Sequence, residues 1–360
     1  MIELTAQNVE MDAQLNRDIQ DAYINLGMAL RRAKELKEAE EVLRKAIERD
    51  PSVATPYFAL GITLNDVGQF AEAEHVLQQA LECTPADDTE TLAAIHSNLG
   101  IAFQGLEEHE RAYEAFQEAL RLGLENAEIY NLLGETLYAL DKYEEALRVL
   151  KKALELEPDN AWAYARMGNV LRMMERYEEA LNNLNKALQL DSNFAWAYAR
   201  EGATLWLMEE HNEALEVLDK ALELDPGDDW AWANKGVTLG LMEEYDEALE
   251  ALDKAIELKP DYDWAWANKG VTLRLIGKYD EALEALDKAI ELKPDYDWAW
   301  SNKGVTLGRI GKYGEALEVL DKALELDPSD DWAWANKGVT LVLMEEYDEA
   351  LEALDKAIEL

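Results

Sequence analysis

The stretch Asp229–Pro260, DWAWANKGVTLGLMEEYDEALEALDKAIELKP, decides the fold, because the chain repeats it almost unchanged. Residues 263–294 read DWAWANKGVTLRLIGKYDEALEALDKAIELKP. In both directions from there a glycine recurs every 34 residues, with one spacing of 39, and an alanine follows each glycine after 12 residues. Such a register indicates an array of ten repeats. The glycines are Gly27, Gly61, Gly100, Gly134, Gly168, Gly202, Gly236, Gly270, Gly304 and Gly338.

Each repeat is predicted to form two helices, with the glycine at position 8 of the repeat. In the quoted stretch we predict helices over Asp229–Met242 and Glu243–Lys259, and Pro260 ends the second. A glycine inside a helix costs about 1 kcal/mol relative to alanine. A glycine in every repeat is therefore expected at a point where the missing side chain lets two helices approach closely. One helix pair cannot bury its apolar faces alone, so neighbouring pairs are expected to stack.

This repeat resembles the pattern of the tetratricopeptide repeat (TPR) family. The residues at the pattern's positions are Trp232, Lys235, Gly236, Leu239, Ala248, Leu252, Ala255 and Pro260. Lys235 stands where the family has leucine, and its methylene stem can still cover apolar surface. The resemblance covers residues 20–360. It implies an all-α fold, an α-solenoid of about ten helix-turn-helix units that form a right-handed superhelix, with the first helices lining the concave surface.

We predict one continuous solenoid with an irregular start. Residues 1–19 form an N-terminal segment, predicted to be a helical cap. Residues 20–87 hold repeats one and two, residues 88–92 are an insertion expected to lengthen the first helix of repeat three, and residues 93–360 hold repeats three to ten. The last repeat ends at its position 30 without a capping helix. We therefore expect either a fragment of a longer protein or an end that stacks on another chain.

Composition restricts the class of partner. The chain has 34 Lys and Arg residues against 76 Asp and Glu residues, a net charge of −42, so no nucleic-acid partner is expected. No apolar run approaches the roughly 18 residues of a membrane span, and the start has no secretion-signal pattern. Cys83 is the single cysteine, which excludes an internal disulfide and a multi-cysteine zinc site. We predict a soluble, cytoplasmic protein without a membrane partner.

Two ladders of side chains are predicted to face the concave groove. Positions 2, 5, 6, 9 and 13 of a repeat share one helix face, which in repeat seven holds Trp230, Ala233 and Asn234. Position 2 is tryptophan in repeats five to ten: Trp162, Trp196, Trp230, Trp264, Trp298 and Trp332. Position 6 is asparagine in repeats seven to ten: Asn234, Asn268, Asn302 and Asn336. Amides that donate and accept can hold an extended peptide backbone. Alternatively, the tryptophans pack between repeats and stiffen the solenoid.

Arginines interrupt the Asn ladder in repeats five and six. Arg166 and Arg200 occupy position 6 there, and Arg172 occupies position 12 of repeat five. Guanidinium groups bind carboxylates in bidentate geometry, so the three arginines are candidates for a local anion pocket. The alternative is that they form ion pairs with acids of adjacent helices.

No catalytic constellation is predicted. The four histidines stand at helix or packing positions, and no phosphate loop, nucleotide fingerprint or metal-ligand motif is present. We therefore expect no enzyme activity, cofactor or metal. The predicted function is a scaffold that binds an extended segment of a protein or peptide partner in its Trp- and Asn-lined groove. The alternative is an oligomerisation or regulatory arm of a larger protein, forming a homo-oligomer through its uncapped C-terminal end.

Overall fold

The fold is known from a computed structural model, which describes the backbone of residues 2–360 and the side chains of residues 14–360. Within this part of the chain there are twenty α-helices and no strand. The chain divides into two compact units, Met1–Leu190 and Asp191–Leu360, which we call the N-terminal half and the C-terminal half. Each half is all-α and built of stacked helix pairs, as the repeat pattern predicts.

Odd-numbered helices are the first helices of the repeats, and even-numbered helices are the second. The N-terminal half contains α1 Ile2–Arg32, α2 Leu36–Arg49, α3 Ala54–Val67, α4 Phe70–Cys83, α5 Thr89–Gly105, α6 His109–Arg121, α7 Ala127–Ala139, α8 Tyr143–Leu156, α9 Ala161–Met173 and α10 Tyr177–Leu190. The C-terminal half contains α11 Ala195–Leu207, α12 His211–Leu224, α13 Asp229–Leu241, α14 Tyr245–Leu258, α15 Asp263–Leu275, α16 Tyr279–Leu292, α17 Asp297–Arg309, α18 Tyr313–Leu326, α19 Asp331–Leu343 and α20 Tyr347–Glu359.

Two first helices are longer than the others. Helix α1 has 31 residues and runs without a break from the N-terminal segment into repeat one. Helix α5 has 17 residues, against 13 in α7. It begins after Asp88, whose side chain accepts a hydrogen bond from the Thr91 backbone N–H at 3.1 Å. Four of the five additional residues of repeat three therefore extend the helix, and the fifth lies in the connection before it.

The turn between the two helices of each repeat has the same backbone in all ten repeats. The predicted boundary, which joined Met242 directly to a second helix at Glu243, is wrong, because Glu243 has φ 63° and ends the helical path. The left-handed conformation costs a non-glycine residue about 1–2 kcal/mol. Position 15 adopts it in every repeat: Lys34, Gly68, Glu107, Asp141, Glu175, Glu209, Glu243, Gly277, Gly311 and Glu345.

The glycine of each repeat marks the closest approach between its two helices. A Cβ on Gly236 would lie 2.6 Å from Leu252 Cγ and 3.0 Å from the Ala248 carbonyl oxygen. Ala248 and Ala255, on the second helix, are completely buried. Only small residues fit here, so the spacing of glycine and alanine fixes how each helix pair closes.

Neighbouring repeats of the C-terminal half are joined by two repeated polar contacts. The position-4 indole N–H donates to the carbonyl of the proline that precedes its repeat, at 3.0 or 3.1 Å; the pairs are Trp232–Pro226, Trp266–Pro260, Trp300–Pro294 and Trp334–Pro328. The position-7 ammonium lies 2.5 or 2.6 Å from an aspartate of the preceding second helix; the pairs are Lys235–Asp219, Lys269–Asp253, Lys303–Asp287 and Lys337–Asp321. The replacement of leucine by lysine at position 7 thus forms an ion-pair ladder.

Candidate functional site

The position-2 tryptophans lie on the first helices, partly packed and partly open. Trp162 is 51% exposed and Trp332 is 39% exposed. The other four are half-buried: Trp196, Trp230, Trp264 and Trp298. The ring centroid of Trp264 lies 6.0 Å from that of Tyr262, and Trp298 and Tyr296 repeat this contact at 5.9 Å. Trp230, Trp264 and Trp298 therefore pack against buried clusters and also keep part of their surface exposed.

A cavity of about 380 Å³ opens on the first-helix face of the C-terminal half, and we call it the aromatic cavity. Its walls are three tryptophans, aliphatic side chains, one glycine and two uncharged polar side chains: Trp206, Trp264, Trp298, Val237, Leu241, Val271, Leu275, Gly240, Asn268 and Thr272. Leu241 is 56% exposed. The cavity is thus an apolar recess continuous with exposed apolar surface.

Position 12 leaves room for the cavity at repeat seven, and Gly308 leaves a similar gap at repeat nine. This position holds Gly240, where an added Cβ would have no neighbour closer than Thr272 Oγ1 at 3.7 Å. Repeats six and eight hold Trp206 and Arg274 at the same position, so a gap lies between two large side chains. Sequence reasoning missed Trp206 and Gly240, because position 12 forms no ladder. The available signal was the alternation of glycine with large residues at that position.

The Asn ladder is hydrogen-bonded within its own helices. Each Nδ2 donates to the backbone carbonyl of the tryptophan four residues earlier, at 2.7 or 2.8 Å; the pairs are Asn234–Trp230, Asn268–Trp264, Asn302–Trp298 and Asn336–Trp332. Asn234 and Asn302 are buried, whereas Asn268 and Asn336 are half-buried. Only the half-buried pair keeps much amide surface for a ligand. Position 5 does not face the groove as predicted: Ala233 is completely buried, because it packs between repeats.

Arg166 and Arg172 lie in the N-terminal half. Arg166 Nη1 lies 2.7 Å from Glu135 Oε2 of the preceding repeat. Arg166 thus forms the kind of ion pair with a neighbouring helix that was the alternative to an anion pocket. Arg172 Nη2 donates to Asn169 Oδ1 at 3.1 Å, and burial lowers the pKa of Arg172. Both guanidinium groups therefore already have contacts within their own half.

Arg200 lies in the C-terminal half between two successive position-2 rings. Its guanidinium carbon is 3.6 Å from the ring centroid of Trp230 and 4.9 Å from that of Trp196. Cation–π contacts of this kind contribute about 0.5–2 kcal/mol. Arg200 thus braces two indoles, and the anion pocket formed jointly with Arg166 and Arg172 stays a prediction.

The first-helix face of the N-terminal half has a polar cavity of about 380 Å³. Its polar lining residues are Arg31, Asn65, Asp66, Ser97, Asn98, Asn126 and Glu128. Arg31 Nε lies 2.6 Å from Asp66 Oδ2, and Asn65 Nδ2 donates to the Asn98 carbonyl at 2.9 Å. Two pairs of these groups bond to each other, but Asn65 Oδ1 is buried without a hydrogen-bond partner among the described residues, whereas the walls of the aromatic cavity are mainly apolar.

The remaining titratable groups give little sign of chemistry. Burial lowers the pKa of His96, which occupies the aromatic position 4, so the neutral imidazole packs as an aromatic residue does there. In the part of the chain that the structure describes, no three His, Cys, Asp or Glu side chains are grouped around a possible metal position. Among the same residues no helix has the length and apolarity needed to cross a membrane.

Sequence models of the tetratricopeptide repeat match nearly the whole array. The matched ranges are 20–53, 52–125, 91–159, 125–193, 159–226, 230–262, 264–296, 285–318 and 311–360. The chain belongs to the tetratricopeptide repeat family. The resemblance inferred from the glycine, alanine and tryptophan register is therefore confirmed.

Solved structures that are similar to this chain include one with a TM-score above 0.5. The Cut9–Hcn1 hetero-tetramer of APC/C aligns over 94% of this chain and 93% of that chain, with 15% identity and a TM-score of 0.53. YrrB, a TPR protein with an unusual peptide-binding site, aligns over 52% of this chain and 96% of its own, with 34% identity and a TM-score of 0.39. Yeast Tom70 aligns over 95% and 85%, with 21% identity and a TM-score of 0.48. No curated protein sequence matches the chain.

Proposed function

We propose that the C-terminal half binds an extended polypeptide segment along its first helices, with an apolar side chain of that segment in the aromatic cavity. Membership of the TPR family supports the broader role, a protein-interaction scaffold without enzymatic activity. The single observation that carries the finer proposal is the aromatic cavity itself, an apolar recess beside exposed leucines. We place the protein in the cytoplasm, since its single cysteine suits a reducing compartment.

The chemistry of the face favours a polypeptide over a compact small molecule. Repeats seven to ten present nearly the same residues every 34 positions, so the surface has a translational period. An extended chain also has a period, and it can place side chains in successive recesses while its backbone runs along the helices. Aromatic walls supply large contact area at low entropic cost, because each indole has few rotatable bonds.

Gly240→Leu is the sharpest test, because it fills the cavity without removing any packed ring. Gly314→Leu is the matched control: Gly314 lies in α18 with no atom within 4 Å of a Cβ placed on it. We expect a random dodecapeptide phage library to yield enriched peptides on the unchanged chain and on Gly314→Leu, but not on Gly240→Leu. Circular dichroism checks that all three are folded. Equal enrichment on Gly240→Leu, or none on the unchanged chain, would reject the proposal.

The alternative, self-assembly through the last repeat, is supported by the surface of α20. Ile358 is 82% exposed, whereas Leu324, its equivalent in repeat nine, is 7% exposed because repeat ten covers it. Tyr347 and Leu351 on the same helix are also exposed. Light scattering over a concentration series separates the two functions: a mass that rises with concentration and returns to 40.7 kDa in Ile358→Glu supports assembly, and a constant 40.7 kDa rejects it.

A further inference from the structure

Open grooves separate the successive second helices of the C-terminal half. In the part of the chain that the structure describes, the first helices of adjacent repeats contact each other, but no Cα atoms of successive second helices lie within 8 Å. The separated pairs are α12–α14, α14–α16, α16–α18 and α18–α20. The intervening first helix is therefore the floor of each gap, and we call these gaps the second-helix grooves.

Two of the second-helix grooves are cavities with an apolar floor. The groove between α12 and α14 encloses about 550 Å³, and the one between α18 and α20 encloses about 480 Å³. In the first groove Leu239 and Ala251 are buried, and Leu215 and Trp232 are half-buried against them. The second groove has the same floor, formed by Leu341, Ala353, Leu317 and Trp334. An apolar side chain that enters either groove is therefore removed from water.

Carboxylates line the rim of these grooves. The rim of the first groove includes three exposed glutamates that form no salt bridge among the described residues: Glu244, Glu247 and Glu250. The two lysines of the same groove already have partners, since Lys235 lies 2.5 Å from Asp219 and Lys254 lies 2.7 Å from Glu257. The groove thus combines an apolar floor with negative charge that no neighbouring cation compensates.

The charge of the second helices differs strongly between the two halves. In the C-terminal half α12, α14, α16, α18 and α20 carry net charges of −3, −4, −4, −3 and −4, which is −18 in total. The second helices of the N-terminal half, α2, α4, α6, α8 and α10, together carry −5. Since the same repeat is solvated with much less charge, solvation does not account for the excess. Like charges at this density repel each other, and a cationic partner relieves that repulsion.

We propose that the second-helix grooves of the C-terminal half bind an amphipathic helix of a partner protein, one with an apolar face flanked by Lys or Arg. Its apolar side chains pack on Trp232 and Leu215, and its cations reach the glutamates of the rim. Charge complementarity selects this occupant, because an acidic helix, a nucleic acid or a second copy of this chain is repelled by the net charge of −42. The space between two helices suits a third helix, bound in the helix-in-groove mode.

The test uses a designed probe and a scrambled counterpart. The probe is a fluorescent peptide of about 22 residues with Leu along one helix face and Lys on the rest, whereas dodecapeptides are too short to form a stable helix. The scrambled peptide has the same composition and charge but no apolar face. Fluorescence anisotropy at about 0.15 M salt measures binding while long-range attraction is screened. The probe should bind about tenfold more tightly than the scrambled peptide.

Two charge-matched variants test whether the probe lies in the grooves. The groove variant changes position 22 of four repeats, the position that lines both cavities: Glu250→Lys, Glu284→Lys, Glu318→Lys and Glu352→Lys. The control variant changes four exposed acids that do not line the two cavities: Glu243→Lys, Asp246→Lys, Asp280→Lys and Asp348→Lys. The probe should bind about tenfold more weakly to the groove variant than to the control variant. Circular dichroism and melting curves check that both are folded.

The outcomes are distinct from those of the proposed function, which concerns the first-helix face and Gly240. Equal binding of the probe and the scrambled peptide indicates attraction by net charge alone and overturns the groove proposal. Equal binding of the probe to the two variants places it outside the grooves and overturns the proposal as well, and so does the absence of binding to the unchanged chain. None of these results affects peptide enrichment at the aromatic cavity.

Discussion

The two halves use the same repeat but join neighbouring repeats by different chemistry. In the N-terminal half one continuous apolar cluster extends from Leu43 to Ala180, with Leu133 and Met167 at position 7. In the C-terminal half the buried clusters are smaller, and each interface adds an indole-to-carbonyl hydrogen bond and a Lys–Asp ion pair. The small residues therefore define the repeat, whereas the interface between repeats can be stabilised by either apolar or polar contacts.

The first-helix faces of the two halves also differ. The polar cavity of the N-terminal half has an internal ion pair between Arg31 and Asp66, whereas the aromatic cavity of the C-terminal half exposes indoles and leucines. Satisfied polar groups gain little from a ligand, since binding only exchanges one hydrogen bond for another. Exposed apolar surface gains from every contact that removes water. The C-terminal half therefore offers the larger apolar contact to a ligand, which is why we propose the binding site there.

The largest effect on stability is expected from Gly236→Ala. A Cβ there meets the backbone oxygen of Ala248 at 3.0 Å, which cannot rotate away. We expect a loss of about 2 kcal/mol in the free energy of unfolding, from overpacking. In Gly134→Ala the three nearest atoms all belong to the Leu150 side chain and none is a backbone atom, so the loss should be smaller. Urea unfolding followed by circular dichroism measures the free energy of unfolding of both variants. Equal losses would show that the contact with the Ala248 backbone oxygen does not distinguish the two helix pairs.

Trp266→Phe should cost about 1–2 kcal/mol, because it removes the hydrogen bond to the Pro260 carbonyl and also the part of the indole that packs between repeats. The N-terminal counterpart is Tyr130→Phe at the same repeat position. The Tyr130 ring is buried, and Lys152 lies over it at 5.4 Å. We expect almost no change there, since ring packing is retained. If both variants lose the same stability, the indole bond is not what distinguishes the C-terminal interfaces.

Glu243→Gly should raise stability by up to about 1 kcal/mol, because glycine adopts φ 63° without strain. Asp141→Gly, at the equivalent turn of the N-terminal half, should give a similar gain, since its φ is 55°. The reverse change, Gly277→Ala, should lower stability. Thermal melting of the three variants is sufficient, and a gain confined to one half would show that the turns are not equivalent.

The smallest effect is expected from Lys269→Leu, which removes the ion pair with Asp253. Leucine is the residue that repeat four has at this position, as Leu133. Partly exposed ion pairs contribute about 0–1 kcal/mol and are screened by salt. The melting temperature should change by a degree or two at low salt, and its difference from that of the unchanged chain should change as salt screens the ion pair. A difference that does not depend on salt would show that this ion pair makes no electrostatic contribution.

Much of this fold could be predicted from the register of glycine, alanine and tryptophan. The spacing gave ten helix pairs, and position 2 gave indoles that are at least partly exposed. The left-handed turn could not be predicted, because glutamate and lysine, the residue types of Glu243 and Lys34, do not favour a positive φ. The aromatic cavity was missed because it forms where Gly240 of one repeat faces Trp264 and Trp298 of the following two. The Asn amides were assigned to a ligand because sequence cannot show that Nδ2 of Asn302 already donates to Trp298.

Hydrogen exchange of the full chain, with and without a selected peptide, tests the central claim most directly. If a polypeptide lies along the first helices of the C-terminal half, exchange should slow in α13, α15 and α17. The second helices α14, α16 and α18 and the whole N-terminal half should be unchanged. Protection that falls instead on the second helices, or on the polar cavity of the N-terminal half, would contradict the account.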